Sequence, residues 1–145
     1  MKLAAKLVAM RKPVANNSLA LVTFLTDDYD RAIHWFTDAL QFVLLEDTDL
    51  GAGKRWVRMA PHVEAETAFL IARAVGDQVG TIGTQAGGRV GHFLSTDDFD
   101  TMHAHMTLAG VTFREAPRTE PYGTVAVFED LHGNPWDLVQ FVAET

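Results

Sequence analysis

Six histidines, nineteen carboxylates and twelve Lys or Arg side chains carry the chemistry open to this chain of 145 residues, which has no cysteine. Without thiols there is no disulfide framework, no thiolate nucleophile and no Cys-built zinc site. The histidines are poorly spaced for joint work. His103 and His105 stand two apart in a helical segment, about 200° around its axis, so they do not chelate one ion together. His34 falls on a polar helix face, His62 follows Pro61 in a loop, and His132 sits in a late turn. Their order alone defines no Ser-His-Asp arrangement.

Other stretches have more to offer a ligand. Arg55-Trp56 presents either a guanidinium or an indole, because strand neighbours point to opposite faces. The segment Gln85 to Arg89, with Gly87 and Gly88, has the composition of a phosphate-cradling loop, yet a strand follows where such a loop would feed a helix. It reads better as a flexible connection, with Arg89 at its end. Around Pro121 a turn carries Glu120 and Tyr122, placed to close over a pocket mouth.

The elements that position these residues come in two copies. Thr26 to Asp30 reads TDDYD and returns seventy positions later as TDDFD, Thr96 to Asp100. Before each copy lies an apolar, β-branched strand, LALVTFL or VGHFLS, and after each a helical segment. The aspartates suit a helix start, accepting bonds from free first-turn amides and facing the positive dipole end. Tyr29, Ala32, Ile33, Phe36 and Leu40 then share one helical face, as do Phe99, Met102, Met106 and Ala109, with Gly110 placed to end the second helix. Three strands are expected after each helix: Phe42 to Asp47, Lys54 to Met59 and Thr67 to Ala72, then Val111 to Glu115, Gly123 to Glu129 and Pro135 to Val142. The fold class is therefore α+β, with two tandem βαβββ modules in one domain. The boundaries expected are an N-terminal arm over 1–17, a first module over 18–73, a linker over 74–89 and a second module over 90–142.

Composition limits the partners. The net charge of −7 opposes nonspecific nucleic-acid binding and favours a cationic small molecule. No apolar run is long enough for a membrane span, and Lys6 interrupts the apolar middle that a secretory signal would need. A cytoplasmic protein is expected, its basic arm packing loosely or on a partner subunit.

Two stretches, VTFLTDDYDRAIHWFTDALQF and VFEDLHGNPWDLVQF, resemble the vicinal oxygen chelate superfamily of glyoxalases, bleomycin-resistance proteins and extradiol dioxygenases. The first matches its strand, aspartate, helix and aromatic pair, here Trp35-Phe36; the second matches its closing Asp-x-x-Gly-Asn hairpin and last strand. Gln41 departs from the glycine common after the family's first helix, which should perturb a turn and not the fold. The resemblance implies divalent-metal ligands on the first and last strands of both modules. Carried over residue by residue, those positions fall on Leu21, Gly91, one of Phe69, Leu70 or Ile71, and Asp137. Only Asp137 is a donor, so a divalent metal is disfavoured though still open, and no other cofactor is expected. His92, next to Gly91, should point the other way, under a helix.

Alternation from these positions sends Thr23, Leu25, Phe93 and Ser95 inward, with Asp137, Val139 and Phe141, and turns Trp136 and Leu138 beneath a helix. That describes a mainly apolar pocket lined by Leu21, Thr23, Phe93 and Asp137. Asp137 is then a base for a carbon acid, an anchor for a ligand amine or hydroxyl, or a structural partner of Arg55 or Arg89. Two functions stand side by side: a small-molecule binding protein similar to bleomycin-resistance proteins, or a lyase, isomerase or dioxygenase, metal-independent or with non-standard ligands, using Asp137 as base or ligand. The resemblance also implies that each module curls into a half-open barrel and that a homodimer completes these half-open barrels.

Overall fold

The computed structural model describes Met10 and residues 12–143, so most of the basic arm lies outside the described residues. The chain forms β1 (Leu21–Thr26), α1 (Tyr29–Leu40), β2 (Val43–Gly51), β3 (Lys54–Ala60) and β4 (Ala68–Arg73), then a 3-10 turn (Gly76–Thr81). It continues with β5 (His92–Ser95), α2 (Phe99–Leu108), β6 (Arg118–Glu120), β7 (Gly123–Glu129) and β8 (Pro135–Phe141). Each set of four strands makes its own sheet, ordered β1-β4-β3-β2 and β5-β8-β7-β6. In both sheets the first and last strands of the module run parallel and the remaining pairs are antiparallel. The fold is α+β, one module built twice.

The doubled acidic motif starts both helices by the same local bonds. Asp28 accepts from the Arg31 amide at 3.1 Å, and Asp98 accepts from the Thr101 amide at 3.1 Å. One step earlier the Asp28 amide donates to the Thr26 hydroxyl and the Asp98 amide to the Thr96 hydroxyl, each at 3.2 Å. Such a cap is worth about 1 kcal/mol. Helix α1 buries Tyr29, Ala32, Phe36, Ala39 and Leu40, while Ile33 is only partly covered. Helix α2 buries Phe99 and Met106; Ala109, expected on that face, is exposed because the helix has already reached its cap there.

One hydrophobic core serves both modules. Phe24, Phe36 and Met59 of the first pack in the same cluster as Phe99, Phe128, Trp136 and Leu138 of the second. Phe36 meets Phe24 edge-on at 4.9 Å between ring centres, and Phe69 meets Trp136 edge-on at 5.7 Å, which carries the cluster across the module boundary. Burying each such ring contributes about 1.5–3 kcal/mol. The helices and the covered sheet faces therefore point at one another, and the opposite face of each sheet is turned away from this core.

Two local expectations change. A strand over Val111 to Glu115 does not form; only Phe113 bridges to Phe128, and the edge strand is Arg118–Glu120. The Glu115 carboxylate accepts the Val127 amide at 3.1 Å, taking a ladder position from the backbone, and Pro117 has no amide to offer. The linker is pinned where a flexible connection was expected. Its Gln85 side chain accepts from the Leu25 amide at 2.8 Å and donates to the Thr23 carbonyl at 3.1 Å, along the free edge of β1. Gly83 (φ 83°) approaches the closing hairpin so closely that a Cβ would lie 2.2 Å from the His132 carbonyl oxygen. Gln41 ends α1 in the left-handed region at φ 58°. That conformation costs a non-glycine residue about 1–2 kcal/mol, and a glycine's looser unfolded chain returns part of the gain. Gln41→Gly is expected to stabilise the fold by about 0.5–1 kcal/mol, read from the midpoint of urea unfolding.

Candidate functional site

Strand alternation decides what the open face of the second sheet presents. Trp136 and Leu138 of β8 turn into the core, so Asp137, Val139 and Phe141 turn outward to the open face. Phe93 of β5 lies directly opposite Asp137, and Val127 and Val125 of β7 lie opposite Asp137 and Val139. Tyr122, at the turn into β7, closes one end. Phe93, Tyr122, Asp137, Val139 and Phe141 line a cavity of about 250 Å³. Its rim is apolar and open, with Phe93 64%, Phe141 56% and Tyr122 44% exposed.

Asp137 is the carboxylate in this cavity, and its Oδ1 is buried with no hydrogen-bond partner among the described residues. Burial pushes its pKa above the ordinary aspartate value; the Arg118 charge opposes that shift and the Glu115 charge adds to it. Arg118 stands opposite Val125 on the same face, but its guanidinium is taken up elsewhere. It bonds Glu120 at 2.6 Å and Glu115 at 3.1 Å. Together with Tyr122 these acceptors hold it firmly charged. Asp137 thus feels a cation it does not touch.

The first sheet presents a matching but different face. Leu21, Thr23 and Leu25 turn away from Phe24 and the core, and Trp56 and Arg58 turn away from Val57 and Met59. Thr23 pairs with Leu70 as Phe93 pairs with Asp137, so register selects Leu70 from the three alternatives and puts it where the second module has its carboxylate. Phe69 and Ile71 pack in the core. The four equivalent positions are therefore Leu21, Leu70, Gly91 and Asp137, a set with one donor. Among the described residues no group of three His, Asp or Glu side chains is placed to hold a metal ion. This donor set does not fit a divalent cation.

The remaining candidates separate. Arg55 shares the helix side of β3 with Val57; it bonds Asp47 at 2.7 Å and Asp30 at 2.9 Å and lies over the Tyr29 ring. Its charge is committed to the fold, not to Asp137. Trp56, on the other side of that strand, lines a cleft of about 410 Å³ with Leu70, Ala72, Lys54 and Arg73, and Arg55 reaches its edge. Arg89 is exposed in the linker, and no ion pair among the described residues joins it to Asp137. Glu120 holds Arg118 beside the Asp137 cavity, and Tyr122 lines it. Leu21 and Thr23 line neither this cavity nor the Trp56 cleft, so the residues expected in a single pocket are dispersed. Arg118 and Glu115 were not anticipated, because the strand expected at Val111 to Glu115 hid the alternation of Arg118 and Glu120 on β6.

Known proteins share this frame. The model of the Glyoxalase/Bleomycin resistance protein/Dioxygenase superfamily matches residues 18–138. An uncharacterized protein of Shewanella frigidimarina (strain NCIMB 400) is 46% identical over 125 residues, covering 85% of this chain and 93% of that protein. Among solved structures, TnmS3, an antibiotic binding protein from Streptomyces sp. CB03234, is similar with TM-score 0.73 and 27% identity over 90% of this chain and all of that one. UcmS2 is similar with TM-score 0.74 and 26% identity over 86% of this chain and 98% of that one. Two sheets of one repeated order, a cap motif written twice, and a family model that runs from the first strand into the last agree: the chain belongs to the glyoxalase/bleomycin resistance protein/dioxygenase superfamily.

Proposed function

We propose that the protein binds a small, largely apolar molecule carrying a cationic or hydrogen-bond-donating group, without turning it over. The observation that carries this reading is the buried, unpartnered Oδ1 of Asp137 inside an apolar cavity. An uncompensated polar atom of that kind costs about 1–3 kcal/mol, which a ligand donor restores on binding. Phe93, Tyr122 and Phe141 supply aromatic walls, and the net charge of −7 draws cations. The described similarity to an antibiotic binding protein supports the same class of ligand. A second copy of the chain completes the site, its first-module face closing over the exposed rim of Phe93 and Phe141.

The raised proton affinity of Asp137, with the Arg118 charge near it, favours one other reading: a lyase or isomerase in which Asp137 takes a proton from carbon. One experiment separates the two. The full chain is titrated calorimetrically with 2-naphthylmethylammonium and with its uncharged N-acetyl analogue, with and without chelator. Binding is expected to saturate, to favour the ammonium by about tenfold, a difference of roughly 1.4 kcal/mol, and to ignore the chelator. Equal affinity for both compounds sinks the Asp137 anchor. A chelator-sensitive affinity sinks the metal-free site.

A further inference from the structure

A second cavity lies between the modules, at the end of the core where β1, β4 and β5 begin. It holds about 390 Å³, within the range of small-molecule sites, and its wall includes Val22, Met59 and Phe69 from the first module and His92, Leu94 and Trp136 from the second. It shares only Phe93 with the Asp137 cavity. Among the described residues no carboxylate, lysine or arginine lines it. Thr67, its one hydroxyl, already donates to the Leu19 carbonyl at 2.6 Å.

His92 is what remains. Its ring stands 4.7 Å from Trp136 and 4.9 Å from Phe69, edge-on to the latter, and its Nδ1 is buried without a partner among the described residues. Burial holds its pKa below the ordinary imidazole value, against a weaker pull from the Asp130 charge, so the ring is neutral at pH 7. A neutral imidazole has one nitrogen to accept and one to donate. Three aromatic rings meeting at steep angles leave edges and faces that suit another flat ring. An ionised ligand would find no counter-charge among the described residues of this wall and would lose its hydration.

We propose that this junction cavity is a second ligand site, separate from Asp137, which takes a neutral, flat aromatic molecule bearing one hydroxyl that hydrogen-bonds the His92 imidazole. The proposal does not depend on the function assigned to the Asp137 face.

The test uses the full chain with 2-naphthol, 2-methoxynaphthalene and 2-naphthoate, with the His92 imidazole followed by nitrogen-resolved NMR and affinities by calorimetry. The naphthol is expected to saturate, to shift the His92 resonances and to bind about fivefold tighter than the methyl ether, the usual net worth of one hydrogen bond. The naphthoate is expected to bind at least tenfold more weakly. His92→Phe should erase the naphthol preference while Asp137→Asn leaves it intact. A naphthol preference that survives His92→Phe, or one lost in Asp137→Asn, overturns the proposal, as do unmoved His92 resonances in the unaltered protein. A chain lacking residues 1–10 that binds naphthol far tighter than the full chain would make the N-terminal segment the occupant and overturn it too.

Discussion

Asp130→Ala is expected to lower the stability of the protein by about 3–5 kcal/mol, the range for stripping one partner from a buried charged network. Asp130 is 6% exposed and organises the closing hairpin with one carboxylate. Its Oδ1 accepts the amides of His132 at 2.9 Å and Asn134 at 3.1 Å. The Asn134 side-chain amide reaches both oxygens at 3.2 and 3.0 Å, and Trp136 Nε1 donates to Oδ2 at 2.9 Å. Alanine leaves those donors facing a core that holds Trp136 at 2% and Asn134 at 4% exposure. Each stranded donor costs on the order of 1–3 kcal/mol. The damage also spreads, because Asn134 Oδ1 accepts the Gln85 amide and so ties the linker to the hairpin. Asp130→Asn keeps one acceptor oxygen and should fall between the two, at about 2 kcal/mol. Guanidinium unfolding followed by tryptophan fluorescence measures both. An alanine variant within 1 kcal/mol of the parent would show that the hairpin is held by its apolar contacts alone.

Asp137→Asn is expected to do the reverse: to strengthen the fold while weakening the ligand. The sign follows from the direction of its pKa. Burial raises the folded value above that of the unfolded chain, so between the two values the folded state holds more protons. Stability from this group is complete below the ordinary aspartate value and is lost as pH rises through the folded value. At neutral pH the carboxylate is a burden that asparagine removes, for a gain in Tm of about 2 °C. The same change should cost an ammonium ligand about tenfold in affinity. His92 and His132 bias acid stability in the other direction, both held below the imidazole value by burial, their contribution being lost as pH falls through the folded values. They are common to parent and variant and cancel in the difference. Calorimetric melts of both proteins from about pH 4 to pH 8 should converge at the acid end and separate towards neutrality. Parallel curves would mean that Asp137 is solvated and carries no stored strain.

Much of this architecture is legible in the chain because its causes are local. The Thr-x-Asp caps use bonds spanning two and three residues, so their repetition announces two helix starts directly. Alternation along β8 separates Trp136 and Leu138 from Asp137, Val139 and Phe141 without any knowledge of neighbouring strands. The losses arise where a side chain acts across distance in sequence. Glu115 enters the ladder in place of the backbone, so the edge strand moves to Arg118–Glu120 and Arg118 joins the site unannounced. Arg55 looks free for a ligand until α1 and β2 bring Asp30 and Asp47 to it. Alternation says which residues share a face, but not that the two open faces belong to different cavities.

The Gln85 side chain has a consequence for unwanted strand-to-strand contact. A strand at the border of a sheet is a template for uncontrolled growth, since its idle amides and carbonyls accept any passing strand. By engaging the Leu25 amide and the Thr23 carbonyl, one glutamine imitates a further strand for the length of a single residue and blocks that template at mid-strand. Association between chains is then steered away from backbone zippering and left to shape and side chains. The exposed rings of Phe93, Tyr122 and Phe141 are then free to meet other surfaces while β1 is kept from seeding fibrils.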